Sequence, residues 1–336
     1  MISLTKFTFM KKKFLKENSL IVYFRLCIEL LYELKQLSVF LGIVNLHKDR
    51  NKLEAYITKK YHSIEKGLSL PGARVGFGEK NIVELIDEIK NYIANYPDSE
   101  FILKPIEVLI HYQEFNRQHN NVNKKIEALI NELPIIDLNK NRQHDVGIKI
   151  IQKKQIESVL NEFDFNQFIY SRHSIRDFAE NEVADEMIIE ALKLANQSPS
   201  ACNRQPWHTY VYEKDKKDEL LNFQGGCRGF VESVNKVILV TSDLNCFDIN
   251  EIHQAYIDGG IYSMNLIYGL HSLGIGTIPL TTGFKRNKTN LLYNKFNIPK
   301  NHVPVLIVGI GNLKDTFTVA CSARKSASLT NVFIKD

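Results

Sequence analysis

The chain turns at Pro199-Ser200-Ala201-Cys202-Asn203-Arg204-Gln205-Pro206-Trp207, a stretch that holds two prolines and the only tryptophan of the protein. Proline cannot continue a helix, so this stretch ends the amphipathic helix expected over residues 185–197. The apolar and aromatic run His208–Tyr212 that follows is typical of a strand. Ser200 and Asn203 place a hydroxyl and an amide at this helix–turn–strand junction, where they could contact a polyol. The alternative is a purely structural turn with Trp207 in the core.

Upstream of this turn lies a second polar cluster, Arg172-His173-Ser174-Ile175-Arg176. Two guanidinium groups and a hydroxyl within five residues suit a phosphomonoester, because arginine presents a planar fork of donors to phosphate oxygens. The alternative is an exposed basic turn that pairs with Asp177 or Glu180.

Two further segments could complete such a site. The turn at residues 276–283 ends in Thr282 and Gly283 and could place backbone N–H groups against a flat ring, or be a plain β-turn. Arg324 and Lys325, shortly after Gly309-Ile310-Gly311, could close a phosphate clamp, or form a solvated basic pair.

The 336 residues suggest two domains, or one domain with a large extension. The apolar spacing predicts helices over residues 51–66, 81–94, 106–115 and 122–133, with a Gly/Pro-rich loop at Gly67–Gly78 and a polar linker at Asp137–Asp145. The later part alternates helices, at 185–197 and 251–273, with strands at 208–212, 236–241, 276–280 and 303–309. We therefore expect a mainly helical N-terminal region, residues 1–150, and an α+β domain, residues 151–336.

Composition excludes several classes of function. The net charge of +5 comes without a basic stripe interleaved with aromatics, so nucleic acid is not implied. The five cysteines are odd in number and form no CxxC pair, which favours a reducing cytoplasm over a disulfide framework. No HExxH-like spacing, Walker A sequence or GxSxG elbow is present, so we expect no metal and no side-chain nucleophile. Cys202 is interpreted as a small packing residue.

The N-terminus is basic and then apolar, but Arg25, Glu29 and Glu33 interrupt the apolar run. A spanning helix needs ~20 apolar residues. The sequence predicts an amphipathic helix, packed on the protein itself or, alternatively, on a membrane surface or a protein partner.

Residues from about 163 to 325 resemble the nitroreductase family of FMN-dependent oxidoreductases. Ser171–Phe178 is similar to the family's RxSxRxF motif, and Pro199–Trp207 is similar to its PSxxNxQPW motif at the expected separation. The resemblance implies a nitroreductase-like fold, a mixed sheet flanked by helices. It also implies a homodimer with FMN at the subunit interface.

The resemblance also implies roles for individual residues. Arg172 and Ser174 would bind the FMN phosphate, His173 would lie beside the flavin, and Arg176 would reach the ribityl chain or the pyrimidine edge. The PSxxNxQPW motif, with Pro199, would contribute Ser200, Ala201 and Asn203 from the partner subunit. Arg324 and Lys325 would close on the phosphate, and the backbone of Thr282 and Gly283 would lie near flavin N5.

The sequence departs from the family at two points. Many members carry a Glu-Gly pair where Thr282-Gly283 stands here, and a serine is common where Ala201 stands. The N-terminal segment Tyr61–Pro71 resembles the extension of nitroreductase-like proteins associated with exopolysaccharide biosynthesis, and its loop could roof the flavin or only decorate a helix end.

Our first hypothesis is an NADH- or NADPH-dependent enzyme that passes hydride through flavin N5 to a nitroaromatic- or quinone-like acceptor. The alternative is a flavin-binding scaffold or redox-sensing module with little turnover, in polysaccharide biosynthesis.

Overall fold

The computed structural model describes residues 19–70, 73–134, 147–148, 164–317, 319 and 327–334. The pair Arg324 and Lys325 and the linker Asp137–Asp145 lie outside the described residues, so both stay predictions.

The described N-terminal part is helical, as predicted: α1 (Ser19–Phe40), α2 (Arg50–Ser69), α3 (Glu79–Asn95), α4 (Leu103–Gln118) and α5 (Lys124–Asn131). Side-chain caps fix two helix starts, because Asp49 accepts from the N–H of Lys52 and Asn123 accepts from the first turn of α5. Helices α2 to α5 bury their apolar faces in one core, whose fully buried members include Ile57, Ile82, Ile86, Ile89 and Leu109.

Helix α1 packs away from that core and onto the C-terminal part of the chain. Its Leu37, with Leu41 just after the helix, is buried in a cluster with Leu244, Phe247, Ala255 and Val303. The buried ammonium of Lys52 in α2 donates to the carbonyls of Val39, Leu41 and Val44, at 3.3, 3.1 and 2.8 Å. Carbonyls at a helix end lack intrahelical donors, so Lys52 ties the end of α1 to α2.

The C-terminal part contains a four-stranded sheet: β1 (Trp207–Glu213), β2 (Lys236–Asp243), β3 (Ile275–Thr281) and β4 (His302–Asn312), in the order β1-β2-β4-β3. All strand neighbours are antiparallel. Within the described residues, the sheet is mixed only through one isolated parallel bridge between Ser174 and Thr277. Strands β1 and β3 form the two edges.

Four of the described helices cover the two faces of the sheet: α7 (Asp185–Ala195), α8 (Lys214–Gln224), α9 (Gln254–Ser272) and α10 (Arg286–Lys295). The short helices α6 (Phe165–Ser171), which contacts α9, and α11 (Ala327–Thr330) lie before and after them in the sequence. Side chains alternate between faces along a strand. Val237 and Leu239 of β2 therefore pack with residues of α8 and α10, whereas Ile238 and Val240 pack with residues of α7 and α9. The α+β fold predicted from the sequence is confirmed.

Two boundaries differ from those expected. The predicted helix over 251–273 is divided: a 3-10 turn spans Ile249–Glu251, and α9 begins only at Gln254. A capping box between Asp248 and Glu251 produces this separate turn. Helix α2 runs through the start of the predicted loop, and Gly67 fits there because the Phe77 ring would lie 2.1 Å from a Cβ at this position.

Candidate functional site

The Arg172–Arg176 cluster runs along the edge strand β3. The N–H of Ile175 donates to the carbonyl of Thr277 at 2.9 Å, next to the Ser174–Thr277 bridge. Arg172 and Ser174 are half-buried and His173 is exposed. Among the described residues, neither the Arg172 guanidinium nor the Ser174 hydroxyl has a hydrogen-bond partner. Both groups are therefore free to bind an anion.

His271, in the last turn of α9, lies beside this cluster. Its Nε2 is 2.8 Å from the Ser171 hydroxyl, and its ring lies 4.9 Å from the Phe168 ring. Burial, with the charges of Arg172 and His173, lowers the pKa of His271. A neutral imidazole therefore stands next to the arginine. Sequence reasoning missed His271, because no spacing rule connects it to a serine 100 positions earlier.

Arg176 is exposed at the end of the cluster. Its Nη1 is 3.5 Å from the Ser174 carbonyl. Its side chain borders an open cleft of about 820 Å³ together with Asp177, Asp218 and Arg228. Its predicted contact with the ribityl chain or the pyrimidine edge stays a prediction.

The Pro199–Trp207 turn has an unusual backbone. Cys202, Asn203 and Gln205 have φ angles of 51°, 53° and 49°, in the left-handed region that side-chain-bearing residues rarely adopt. Each such residue costs ~1–3 kcal/mol and persists only where its surroundings hold it. Here the Ser200 hydroxyl accepts from the N–H of Gln205 at 3.0 Å.

A buried carboxylate also holds this turn. The N–H of Ala201 donates to Oδ2 of Asp258 at 3.0 Å, and Gln254 donates to the other oxygen. The Ala201 N–H is therefore engaged within its own chain. Ser200, Asn203 and the exposed Gln205 have side chains that can offer polar atoms to a ligand, and Nε2 of Gln205 lies 3.3 Å from the side-chain oxygen of Asn203. Trp207 stacks on Tyr262 in the core, so the structural interpretation of this tryptophan is confirmed.

Helix α2 packs against the Ala201–Asn203 turn and against residues 244–246. Lys59 of α2 pairs with Asp248 at 3.5 Å. The backbone at Gly42 also lies close to residues 244–246, because a Cβ at this position would be 2.5 Å from the Asn245 carbonyl oxygen. The N-terminal helices thus buttress one half of the candidate site. The described part of the Gly67–Gly78 loop packs instead on α4, where Asn116 accepts from the N–H of Gly76.

One chain does not bring the two clusters together. The first follows edge strand β3 and the second leads into the opposite edge strand β1. Three strand spacings separate these edges, ~14 Å. The strand register also displaces the clusters along the sheet. Trp207 pairs with Ser242 of β2, which pairs with Val303 of β4, whereas Thr277 pairs with Ile310 of β4. That offset adds ~23 Å along the strands.

Thr282 and Gly283 follow the end of β3. The Thr282 hydroxyl lies within hydrogen-bond distance of two carbonyls, those of Pro304 at 3.1 Å and Val305 at 2.9 Å, which fixes this corner. The Gly283 N–H donates to the Thr281 hydroxyl and so is already engaged. The Gln224 side chain donates to the Thr281 carbonyl at 3.1 Å. A cavity of about 320 Å³ opens at this corner.

His208, Asp243 and His302 bring ligating atoms within 4.8 Å of one another. The two imidazoles stack at 4.1 Å with an interplanar angle of 21°, so their in-plane lone pairs run side by side and do not converge on one ion. Tyr210 and His302 share a hydrogen bond of 2.7 Å in the same cluster. This arrangement is a packed polar cluster of the sheet.

Among the described helices, none combines the length and the apolar content that crossing a bilayer requires.

Comparison with known proteins confirms the family resemblance of the C-terminal part. Residues 169–227 match the family model for the nitroreductase family. A Methanothermobacter thermautotrophicus protein named "Putative NADH dehydrogenase/NAD(P)H nitroreductase" is 26% identical over 157 residues, 46% of this chain and 81% of the relative. An Archaeoglobus fulgidus protein of the same name is 29% identical over 154 residues, 44% and 85% of the two chains.

Solved structures give similar coverage. A Desulfovibrio desulfuricans structure described as a "putative nitroreductase in complex with FMN" has 21% sequence identity and a TM-score of 0.45, and the match covers 51% of this chain and 96% of that chain. The resemblance of Tyr61–Pro71 to an exopolysaccharide-associated extension stays a prediction.

Proposed function

We propose, from the premise that residues 169–227 belong to the nitroreductase family, that this protein is an FMN-dependent oxidoreductase reduced by NADH or NADPH. One observation carries the proposal: Arg172 and Ser174 present free donors beside β3, the strand whose far end continues into Thr282 and Gly283. The chemistry that FMN supplies when bound is hydride transfer from the nicotinamide to an electron-poor acceptor, nitroaromatic- or quinone-like.

The free donors fit the phosphate end of FMN, and the corner at Thr282 and Gly283 offers a rigid backbone at the ring end. A guanidinium with a neighbouring hydroxyl binds a phosphomonoester through charge-assisted hydrogen bonds. Because burial lowers the pKa of His271, that imidazole adds no positive charge, and the Arg172 guanidinium supplies it. At the other end, the Thr282 hydroxyl holds the corner rigid, so its backbone can approach a flat ring without rearranging.

A homodimer would complete the site. The distance between the two clusters within one chain supports the contribution of Ser200 and Asn203 from a second subunit. Helix α9 offers a surface for this, because its exposed face carries Tyr256, Ile257 and Ile261 around Gly260, beside which a Cβ would meet nothing within 4 Å. Contiguous exposed apolar residues of this kind mark interaction sites.

We also propose a cytoplasmic location, which is supported by the free thiols of Cys27, Cys202, Cys227 and Cys246. Helix α1 leaves large apolar side chains exposed, among them Tyr23, Phe24 and Leu31. A peripheral membrane or protein contact through α1 therefore remains compatible with the proposed activity.

The deciding experiment is an absorbance spectrum of the purified protein, repeated after heat release of the cofactor. We expect oxidised-flavin bands that are released as FMN and that are lost in Arg172→Ala. Arg117→Ala, which removes an exposed arginine paired with Glu127 in the helical region, should keep them. A colourless protein that FMN cannot reconstitute would overturn the proposal. Rapid bleaching by NADH or NADPH distinguishes the enzyme from a flavin-binding scaffold or redox sensor.

A further inference from the structure

Helix α1 forms one wall of the cavity of about 320 Å³ at the Thr282–Gly283 corner. Two hydrogen bonds hold it on α10. The Glu29 carboxylate accepts from the N–H of Arg286 at 3.1 Å, and the Tyr32 hydroxyl donates to the Asn290 side chain at 2.7 Å. Because α1 lies outside the part of the chain that resembles the family, this wall is a feature of this protein's own N-terminal region.

The walls of the cavity are aromatic. Tyr32 from α1, Tyr256 from α9, Tyr293 from α10 and Phe284 after the corner all line it. Aromatic faces bind flat rings by stacked or edge contacts, and they attract electron-poor or cationic groups. The volume is at the lower limit of small-molecule pockets, which suits a compound of one or two rings.

Two further features of α1 set the polarity of the cavity. Glu29 and Glu33 both line it, against the single guanidinium of Arg286. Glu33 has no ion-pair partner among the described residues, so its negative charge acts electrostatically on any ligand that enters the cavity. Gln36 also lines the cavity, and its buried side-chain oxygen has no hydrogen-bond partner within the described chain. This oxygen is itself covered by the protein, so an N–H or O–H of a ligand reaches it only when the Gln36 side chain rotates toward the cavity.

We propose that this cavity is the acceptor site and that α1 makes it selective for flat aromatic acceptors that carry no negative charge and offer a hydrogen-bond donor, such as an aromatic carboxamide. Glu33 disfavours anionic acceptors and Gln36 binds the donor. The inference rests on the proposed function, because it uses the predicted position of Thr282 and Gly283 beside the flavin.

The test compares 4-nitrobenzamide with 4-nitrobenzoate, which have nearly the same shape but differ in charge and in the N–H donor. We expect kcat/KM for the amide to exceed that for the acid roughly tenfold or more, mainly through KM. Glu33→Gln should reduce this preference several-fold by lowering KM for the acid. Gln36→Leu should raise KM for the amide alone. Glu190→Gln, which removes an exposed carboxylate paired with Lys193 on α7, should change neither.

Calorimetric binding of the same two compounds, without nicotinamide, separates this inference from the proposed function. If FMN is bound and reduced but both acceptors react equally, or if Glu33→Gln leaves the preference intact, the selectivity assigned to α1 is wrong and the activity stands. If the protein holds no flavin yet binds the amide in a Gln36-dependent way, the activity and the acceptor role are wrong and only the ligand selectivity assigned to α1 stands. If neither compound binds or reacts, the inference is overturned.

Discussion

The guanidinium of Arg204 forms two hydrogen bonds with the carboxylate of Glu251, Nη1 to Oε2 and Nη2 to Oε1, both 2.8 Å long. The Arg204 side chain is 3% exposed and that of Glu251 is 23% exposed. The same guanidinium donates to the carbonyls of Ala201 and Cys246. This pair therefore joins the strained turn that carries Ser200 and Asn203 to the segment before α9.

Replacing Glu251 should destabilise the protein strongly. Glu251→Gln leaves the Arg204 charge buried without its counter-ion, and breaking a buried pair in this way costs ~3–5 kcal/mol. We expect the free energy of unfolding in urea to fall by this amount. Flavin affinity should fall as well, because the turn loses its anchor. Equilibrium unfolding followed by circular dichroism measures the first effect and fluorescence of released flavin the second.

Glu190→Gln is the matched control for this loss. It breaks an exposed pair with Lys193, 3.2 Å long, on the surface of α7. Exposed pairs contribute ~0–1 kcal/mol. Equal losses in the two variants would show that burial of the Arg204–Glu251 pair has no energetic consequence.

Acid should destabilise the fold through His302. Burial, with the nearby His208, lowers the pKa of His302 from 6.5 to about 4. The unfolded chain therefore binds a proton between these values that the folded chain does not, and stability falls as pH decreases from about 6.5 to about 4. The full contribution, ~3 kcal/mol at most, is present above pH 6.5 and is lost below pH 4.

The measurement is the free energy of unfolding against pH for the wild type and His302→Gln. Burial also raises the pKa of Asp243, which acts in the opposite direction, so only the difference between the two curves reports on His302. As the pH falls from 6.5 to 4, the wild type should lose more free energy of unfolding than His302→Gln does. The exposed His253 provides a control, His253→Gln. Parallel curves for His302→Gln and the wild type would contradict the expectation.

The fold was largely accessible from local pattern, and the site only in part. The continuous apolar run of β2 predicts a buried strand, and all eight of its residues are buried. Helix α8 went unpredicted because charges dominate it and only Leu220, Leu221 and Lys217 are buried. The partners of the Ala201–Arg204 turn, Asp258 and Glu251, lie 57 and 47 positions further on, and no local rule reaches that far.

The family resemblance implies that the two clusters belong to different subunits, but local sequence patterns alone could not show their separation within one chain. It depends on the strand order, which places β1 and β3 at opposite edges. Local patterns identify strands but do not order them. The strain at Cys202 and Asn203 was also missed, because neither residue is the glycine that normally signals a positive φ.

Two inactive variants should complement each other. Arg172→Ala and Asn203→Ala remove one group from each cluster, and each homodimer should lose flavin binding. In a mixed dimer, one site carries both changes and the other carries neither, provided that each site takes one cluster from each subunit. Mixing equal amounts under conditions that exchange subunits should restore about a quarter of the flavin sites.

Each variant alone, taken through the same exchange procedure, is the control for this experiment. Flavin absorbance and NAD(P)H oxidation are read in parallel. If mixing restores no binding although mass spectrometry shows mixed dimers, both clusters serve one site within a single chain or different ligands altogether.

The anchor of α1 should affect acceptors and leave the flavin untouched. Lys52→Met removes a buried donor from three carbonyls at the end of α1, although the Leu41 carbonyl keeps the N–H of Val44 as a donor. The α2–α5 core has its own apolar contacts, so we expect local loosening of α1 and not global unfolding. Amide exchange in residues 19–40 should accelerate and the KM for the acceptor should rise, while flavin content stays constant.

Lys59→Met removes a half-exposed ion pair on the same helix as Lys52 and should leave exchange in α1 unchanged. Equal protection of α1 in Lys52→Met and the wild type would mean that its apolar contacts with Leu244 and Phe247 suffice to hold it, and the acceptor cavity would then not depend on Lys52.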